Sequence, residues 1–221
     1  MATPAEPDLD ADPHLMGWWK FDEHTGTEAA DSSKHGRNGK LSGELTFDEK
    51  SVAGRIGKAL SFDGGDDLVT VTGYKGVTGT TPRTVSLWLK TKTPRGDLVS
   101  WGKKDFGQMW IVRFIRGHVG ATPNGGYYYM ADSVHDEKWH HVVVVVGEAE
   151  LPNLHDDATL YLDGKIAAID RIGLLDLWPV ETGDELDVTI GQNFKGAIDE
   201  LRIYDRALSN EEVAALYNVR K

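Results

Sequence analysis

The run HHVVVVVG at residues 140–147 restricts this chain more than any other stretch. Consecutive β-branched residues favour an extended backbone, and apolar side chains at every position leave neither face of that strand for water. A strand at 140–146 therefore has to lie inside a sheet and be covered on both sides. ATLYLDGKIAAI at residues 158–169 adds a direction to this, because Asp163-Gly164 between two strand-like runs is a strong signal for a tight hairpin. Consecutive strands are thus expected to run antiparallel.

The same grammar recurs along the chain. β-branched and aromatic runs of about 5 to 8 residues alternate with clusters of Gly, Asn, Asp and Pro, the rhythm of a sandwich or barrel. It predicts strands over 17–22, 59–62, 68–71, 84–91, 97–101, 110–115, 118–122, 127–131, 139–146, 158–162, 165–170, 187–190 and 196–204. One helix is expected, at the end: Ser209 followed by Glu212 forms a capping box, and Val213, Leu216 and Tyr217 line one face after it. Residues 1–16, rich in Pro, Ala and Asp, read as a flexible tail or linker, and 17–221 as one domain.

Composition narrows the partners. A formal net charge of -11 repels phosphate backbones and anionic headgroups, so neither nucleic acid nor membrane insertion is expected. No apolar run approaches the roughly 18 residues a spanning helix needs. The absence of Cys removes disulfides, thiolate metal sites and Cys nucleophiles together. The opening MATPAEPDLDADPHLM has neither a basic region nor an apolar one, so it does not read as a signal peptide.

Six stretches taken in order resemble the LamG-like jelly-roll family of the concanavalin A-like lectin/glucanase superfamily: GWWKFDEHTGTEAADSSKHGRNGKLSG (17–43), GKALSFDGGDDLVTV (57–71), TVSLWLK (84–90), WHHVVVVV (139–146), ATLYLDGK (158–165) and IGQNFKGAIDELRIYDRALSNEEVAALY (190–217). The resemblance implies an all-β fold, a two-sheet antiparallel jelly-roll sandwich with the first and last strands adjacent and a short C-terminal helix. It also implies a location outside the cell or in the periplasm. Function has to be read from sites, because this fold carries lectins, adhesion domains and glycosidases alike.

The acidic pair Asp199-Glu200 interrupts an otherwise alternating strand. Members of the family often bind one structural Ca2+ where the terminal strands meet, which places ligands at Asp22, Thr25 and Asp199 and leaves Glu200 solvated on the other pleat face. Ca2+ takes six to eight oxygens from carboxylates and turn carbonyls, and both segments supply them. The loop holding Asp63, Asp66 and Asp67 offers a second such cluster, or a plain solvated turn. Asp31 is expected as a turn former.

Sugars present apolar C–H faces to aromatic rings and hydroxyls to polar groups. Trp101, Trp110, Arg113, Tyr127, Tyr129 and Asp132, with Trp178 on a later loop, therefore form a candidate polysaccharide or glycan platform. Tyr128 must then face away from its neighbours, and Trp18, Trp19, Trp88 and Trp139 are expected in the core or at edges. Catalysis is not expected. Retaining glycosidases of the superfamily often carry Glu-x-Asp-x-Glu on one strand, whereas Glu185-Leu186-Asp187-Val188-Thr189 ends in Thr, removing one of the paired carboxylates. The expectation is a non-catalytic lectin-like module. The alternative is an adhesion or assembly module that binds another protein, itself, or other domains of a larger chain.

Overall fold

Pleat parity decides the architecture. The computed structural model describes residues 8–173 and 178–219. Its strands are β1 (Leu15–Trp19), β2 (Glu28–Ala29), β3 (Gly39–Ser42), β4 (Ser51–Ala53), β5 (Lys58–Asp63), β6 (Leu68–Val71), β7 (Arg83–Lys90), β8 (Asp97–Gly102), β9 (Met109–Ile115), β10 (His118–Thr122), β11 (Tyr127–Met130), β12 (His140–Val146), β13 (Ala158–Leu162), β14 (Lys165–Ile166), β15 (Ile169–Gly173), β16 (Leu186–Ile190) and β17 (Lys195–Tyr204). Two short helices, α1 (Phe47–Lys50) and α2 (Asn210–Asn218), complete the described elements.

All strand pairs are antiparallel, in two sheets. One runs β14-β13-β12-β7-β17-β5-β4, with β1 also on β17; the other runs β15-β11-β10-β9-β8-β16-β6-β3-β2. Val142, Val144 and Val146 point into the core between the sheets, while Val143 and Val145 join a second apolar cluster on the outer face. That second cluster includes Leu9, Trp18, Tyr161, Tyr204, Val213 and Leu216, so α2 and the N-terminal segment are the cover that the double-sided valine run demands. Asp163 and Gly164 both adopt positive φ (50° and 78°), as the two-residue hairpin between β13 and β14 requires.

The last strand is shared along one edge. Residues 195–198 pair with β5, and residues 201–204 pair with β1. Between those segments β17 bulges: Asp199 and Arg202 oppose Trp88 and Ser86, three residues' advance against two. Ile198 and Leu201 both stay in the core, so the extra residue turns both Asp199 and Glu200 away from it. Glu200 takes the positive φ (53°) that this costs.

Several expectations change. The first strand is 15–19, ended where Phe21 adopts a φ of 60°. The expected strand at 165–170 is two, β14 and β15, in different sheets. Residues 8–14 are docked instead of forming a tail: Leu9 is buried, Arg202 pairs with Asp10 at 2.6 Å, and Arg206 bridges Asp12 and Glu212. Residues 1–7 of that segment lie outside the described residues. The capping box of α2 is present, and Tyr217 stacks on Trp88 with ring centroids 5.5 Å apart.

Candidate functional site

The face of the nine-stranded sheet that points away from the core carries a groove of about 570 Å³. Its floor follows one cross-strand register, in which Ile111 opposes Ser100, then Thr189, then Thr70; Thr122 and Lys40 continue the same register beyond the groove on either side. These positions alternate with Val99, Val112, Val188 and Val69, which enter the core, so the pleat alone sorts hydroxyls to the groove. Ser100 and Thr189 hydroxyls lie 2.9 Å apart and form one hydrogen-bonded pair.

The two carboxylates of the groove, Asp97 and Asp187, are each paired with a cation, while Lys104 lines it with no ion-pair partner among the described residues. Arg113 Nε lies 3.1 Å from Asp97 Oδ1, and Lys75 Nζ lies 2.9 Å from Asp187 Oδ1. Burial pushes the Asp97 carboxyl above its usual range and Arg113 pulls it partly back. The Lys75 hydrogen bond holds Asp187 below its usual range. Glu185 is exposed and pairs with Lys103 at 3.5 Å, so of the Glu185-x-Asp187-x-Thr189 segment the groove receives Asp187 and Thr189.

One end of the groove, at Lys104 and Asn124, meets an aromatic pair. Phe106 and Trp178 stack at 5.0 Å between ring centroids, and both are exposed (56% and 38%). Their support is backbone: Gly107 N–H donates to the Asn124 carbonyl, and a Cβ at Gly125 would strike both rings, at 2.6 Å from Trp178 and 3.0 Å from Phe106. Gly125, at a φ of 134°, is required there twice over.

The predicted platform residues separate. Trp101 and Trp110 are fully buried in the core, a correction to their assignment as open rings. Parity explains it: Trp101 shares a face with Val99, and Trp110 with Val112 and Phe114, whereas Arg113 marks the solvent side. Tyr127 and Tyr129 face outward and Tyr128 inward, as expected, but Tyr129 is covered in a stack between Tyr127 and His118. Asp132 is exposed beside this stack, its carbonyl 3.3 Å from His118 Nδ1. Trp178 is on the rim, and Phe106, its partner, gave no signal beyond being a lone aromatic in the polar stretch KKDFGQ.

The acidic pair forms a second locus, in the notch where β5 gives way to β1. Asp199 Oδ2 accepts from the N–H groups of Arg55 (2.7 Å) and Ile56 (2.9 Å), and Asp22 Oδ1 accepts from Lys58 N–H (2.7 Å). Both carboxylates therefore sit on the turn at 54–58. A Cβ on Gly57 would meet Asp22 Oδ1 at 2.2 Å, and one on Gly54 would meet Asp199 Oδ2 at 2.7 Å. Asp199 is fully buried, its Oδ1 has no hydrogen-bond partner among the described residues, and burial pushes its pKa up to about 7 despite those amide contacts. Thr25 remains exposed, next to Gly26, which is tied to Asp48 and Phe47 of α1.

Glu200 corrects its prediction too. It is 5% exposed and accepts from Trp18 Nε1 (2.7 Å) and Arg202 Nη2 (3.2 Å), with the Arg202 guanidinium 3.8 Å from the Trp18 ring centroid. The bulge is the reason, since a regular strand would have sent it to the opposite face. Asp31 caps its turn as expected, accepting from Trp18, Ser33 and Arg37 N–H groups. Asp63, Asp66 and Asp67 do cluster, with Asp67 taken up by Asp63 N–H and Lys50.

A family model described as concanavalin A-like lectin/glucanases superfamily matches residues 63–214. The chain belongs to this superfamily. No curated protein matches the sequence. Among solved structures, this superfamily member is similar to domain 4 of AbnA, an extracellular GH43 arabinanase from Geobacillus stearothermophilus, solved in complex with arabinotriose. The TM-score is 0.66 at 21% identity, over 92% of this chain and 98% of that one. It is also similar to the binding domain of Paraclostridial Mosquitocidal Protein 1 (TM-score 0.59, 16% identity, 90% of this chain and 53% of that one). A third is the ligand binding domain of botulinum neurotoxin serotype D with N-acetylneuraminic acid (0.54, 14%, 92% and 50%). The chain thus spans about half the length of those toxin domains. At these identities the likeness establishes the fold, a concanavalin A-like sandwich, and no described helix is long and apolar enough to cross a membrane.

Proposed function

We propose that this chain is a non-catalytic carbohydrate-binding module, acting outside the cell or in the periplasm, that takes a neutral oligosaccharide in the groove of the nine-stranded sheet. The observation that carries this reading is the row of Thr122, Ser100, Thr189 and Thr70 leading to the exposed Phe106–Trp178 stack. Hydroxyls and carboxylates already neutralised by Arg113 and Lys75 suit a ligand that offers many hydroxyls, and the stack offers a ring face to sugar C–H groups. The shared fold of an arabinanase domain bound to arabinotriose supports the same reading. Titration calorimetry with arabino-oligosaccharides and a panel of neutral polysaccharides tests it. Binding that weakens about tenfold in Trp178→Ala and Phe106→Ala, with melting unchanged, is the expected result. Absence of binding across the panel at millimolar ligand would remove the reading.

A structural Ca2+ at Asp22 and Asp199 belongs to the same proposal. The fit is supported by the unpartnered, buried Oδ1 of Asp199, by the nearby carboxylate of Asp22 and by the turn at 54–58 on which both converge. A cation there would hold Asp199 ionised and join the last strand to the segment that follows the first. Its contribution is to stability, not to sugar recognition.

A further inference from the structure

The opposite sheet carries a second groove, of about 450 Å³, within the roughly 300–1,000 Å³ typical of small-molecule sites. Its floor is small side chains: on neighbouring strands Ser61 opposes Ala197, which opposes Lys90. Trp139, half-buried just before β12, stands beside Lys90 as a wall, and Lys92 and Lys195 close the rim. The walls are fixed from behind. Gly196 lets β17 approach β7 so closely that a Cβ would meet Lys90 O at 2.5 Å, while Glu137 N–H donates to Thr91 O.

The charge of this groove opposes that of the protein. The chain carries a formal -11, yet three lysines and one carboxylate, Glu137, line this groove, and Glu137 is spent on Lys92 at 2.8 Å; Asp63 lies opposite Lys195 on β5 without forming an ion pair with it. Lys90 and Lys195 have no ion-pair partner among the described residues, and both are exposed. An aromatic wall, a floor of small side chains and two uncommitted ammonium groups match a hydroxyl-bearing ring that has an apolar C–H face and carries a carboxylate. A neutral sugar would leave both ammonium groups unused, and an extended acidic peptide would have little use for the ring wall.

We propose that this groove is a separate site for an acidic saccharide, with Trp139 against the ring of a uronic acid residue and Lys90 and Lys195 on its carboxylate. The probe is a galacturonic acid trisaccharide, measured by calorimetry against the neutral galactose trisaccharide and a short oligoglutamate peptide. The uronate is expected to bind more tightly than either, and to lose affinity as salt is raised. Trp139→Ala and the double variant Lys90→Ala/Lys195→Ala should each weaken it about tenfold or more, since each removes a charge-assisted or stacking contact. Phe106→Ala/Trp178→Ala, which alters the other sheet's groove, should retain it. The lysines are exposed, so their variants should melt as the parent does. Equal binding of the neutral trisaccharide or of oligoglutamate, no binding at millimolar uronate, insensitivity to the lysine pair, or loss in the Phe106/Trp178 variant would each overturn the assignment.

Discussion

Trp18 on the first strand donates its indole N–H to Glu200 on the last, 2.7 Å away and out of reach of bulk water. Arg202 lies over the same indole and pairs with the same carboxylate, so three side chains on two strands form one buried unit.

Removing Glu200 should therefore cost more than an ordinary strand substitution. Glu200→Ala leaves a buried guanidinium and an indole N–H short of a partner, a loss of about 3 kcal/mol. Arg202 keeps Asp10, which holds the effect at the lower end of the range for such pairs. Urea unfolding monitored by circular dichroism measures it. A shift below about 1 kcal/mol, the scale of an exposed pair, would mean the unit is not acting as a buried one.

The two kinds of tryptophan should behave differently. Trp110→Ala empties a core position between the sheets and should cost about 3–5 kcal/mol, while Trp178→Ala should leave stability within about 0.5 kcal/mol and act on ligand affinity. Parallel denaturant and binding titrations separate the two. Strong binding loss in a Trp110 variant that remains fully folded would place that ring at the ligand after all.

Acid should act through His141. Burial lowers its pKa from 6.5 to about 3, with Arg202 and Arg55 adding to the effect. The unfolded chain then binds a proton that the folded chain refuses, so this residue's stabilising contribution is complete above pH 6.5 and is lost progressively as pH falls toward 3. Melting temperatures from pH 7.5 down to pH 4 should fall more steeply in the parent than in His141→Gln, which takes up no proton and can still reach Ser86. Parallel slopes in the two proteins would contradict the argument.

Calcium should raise the melting temperature by mass action. At a free concentration one hundred times the dissociation constant the gain is about 2.7 kcal/mol, reversed by EDTA. Asp199→Asn should abolish the response, and Asp67→Asn in the other acidic loop should leave it intact. A response that follows Asp67 instead would transfer the metal to the 63–67 loop.

The sandwich was legible because burial on two faces writes itself into sequence: Val142 to Val146 had to be covered twice, and are. The hairpin at Asp163-Gly164 and the cap at Ser209 were legible as local chemistry. Strands β2, β3 and β4 escaped, being two to four residues long, too short to show a period-two pattern. Trp101 and Trp110 were misplaced because residue type was weighed over parity, although Arg113 already marked which face was wet. Glu200 was lost to one inserted residue, which no pattern of period two can announce. Trp139, expected in the core or at an edge, is half-buried and also lines a groove.

The hydroxyl row of the nine-stranded sheet runs across the strands, not along them. Neighbouring strands are about 4.8 Å apart, a step comparable to the length of one sugar ring. A polysaccharide laid on this row would meet a fresh side chain at each step, like a rod on evenly spaced rungs. Grip would then grow with the number of rings engaged more than with the identity of any one of them, and a long chain could shift by one rung at little cost. Such a surface would favour polymers over short oligomers and hold them by length.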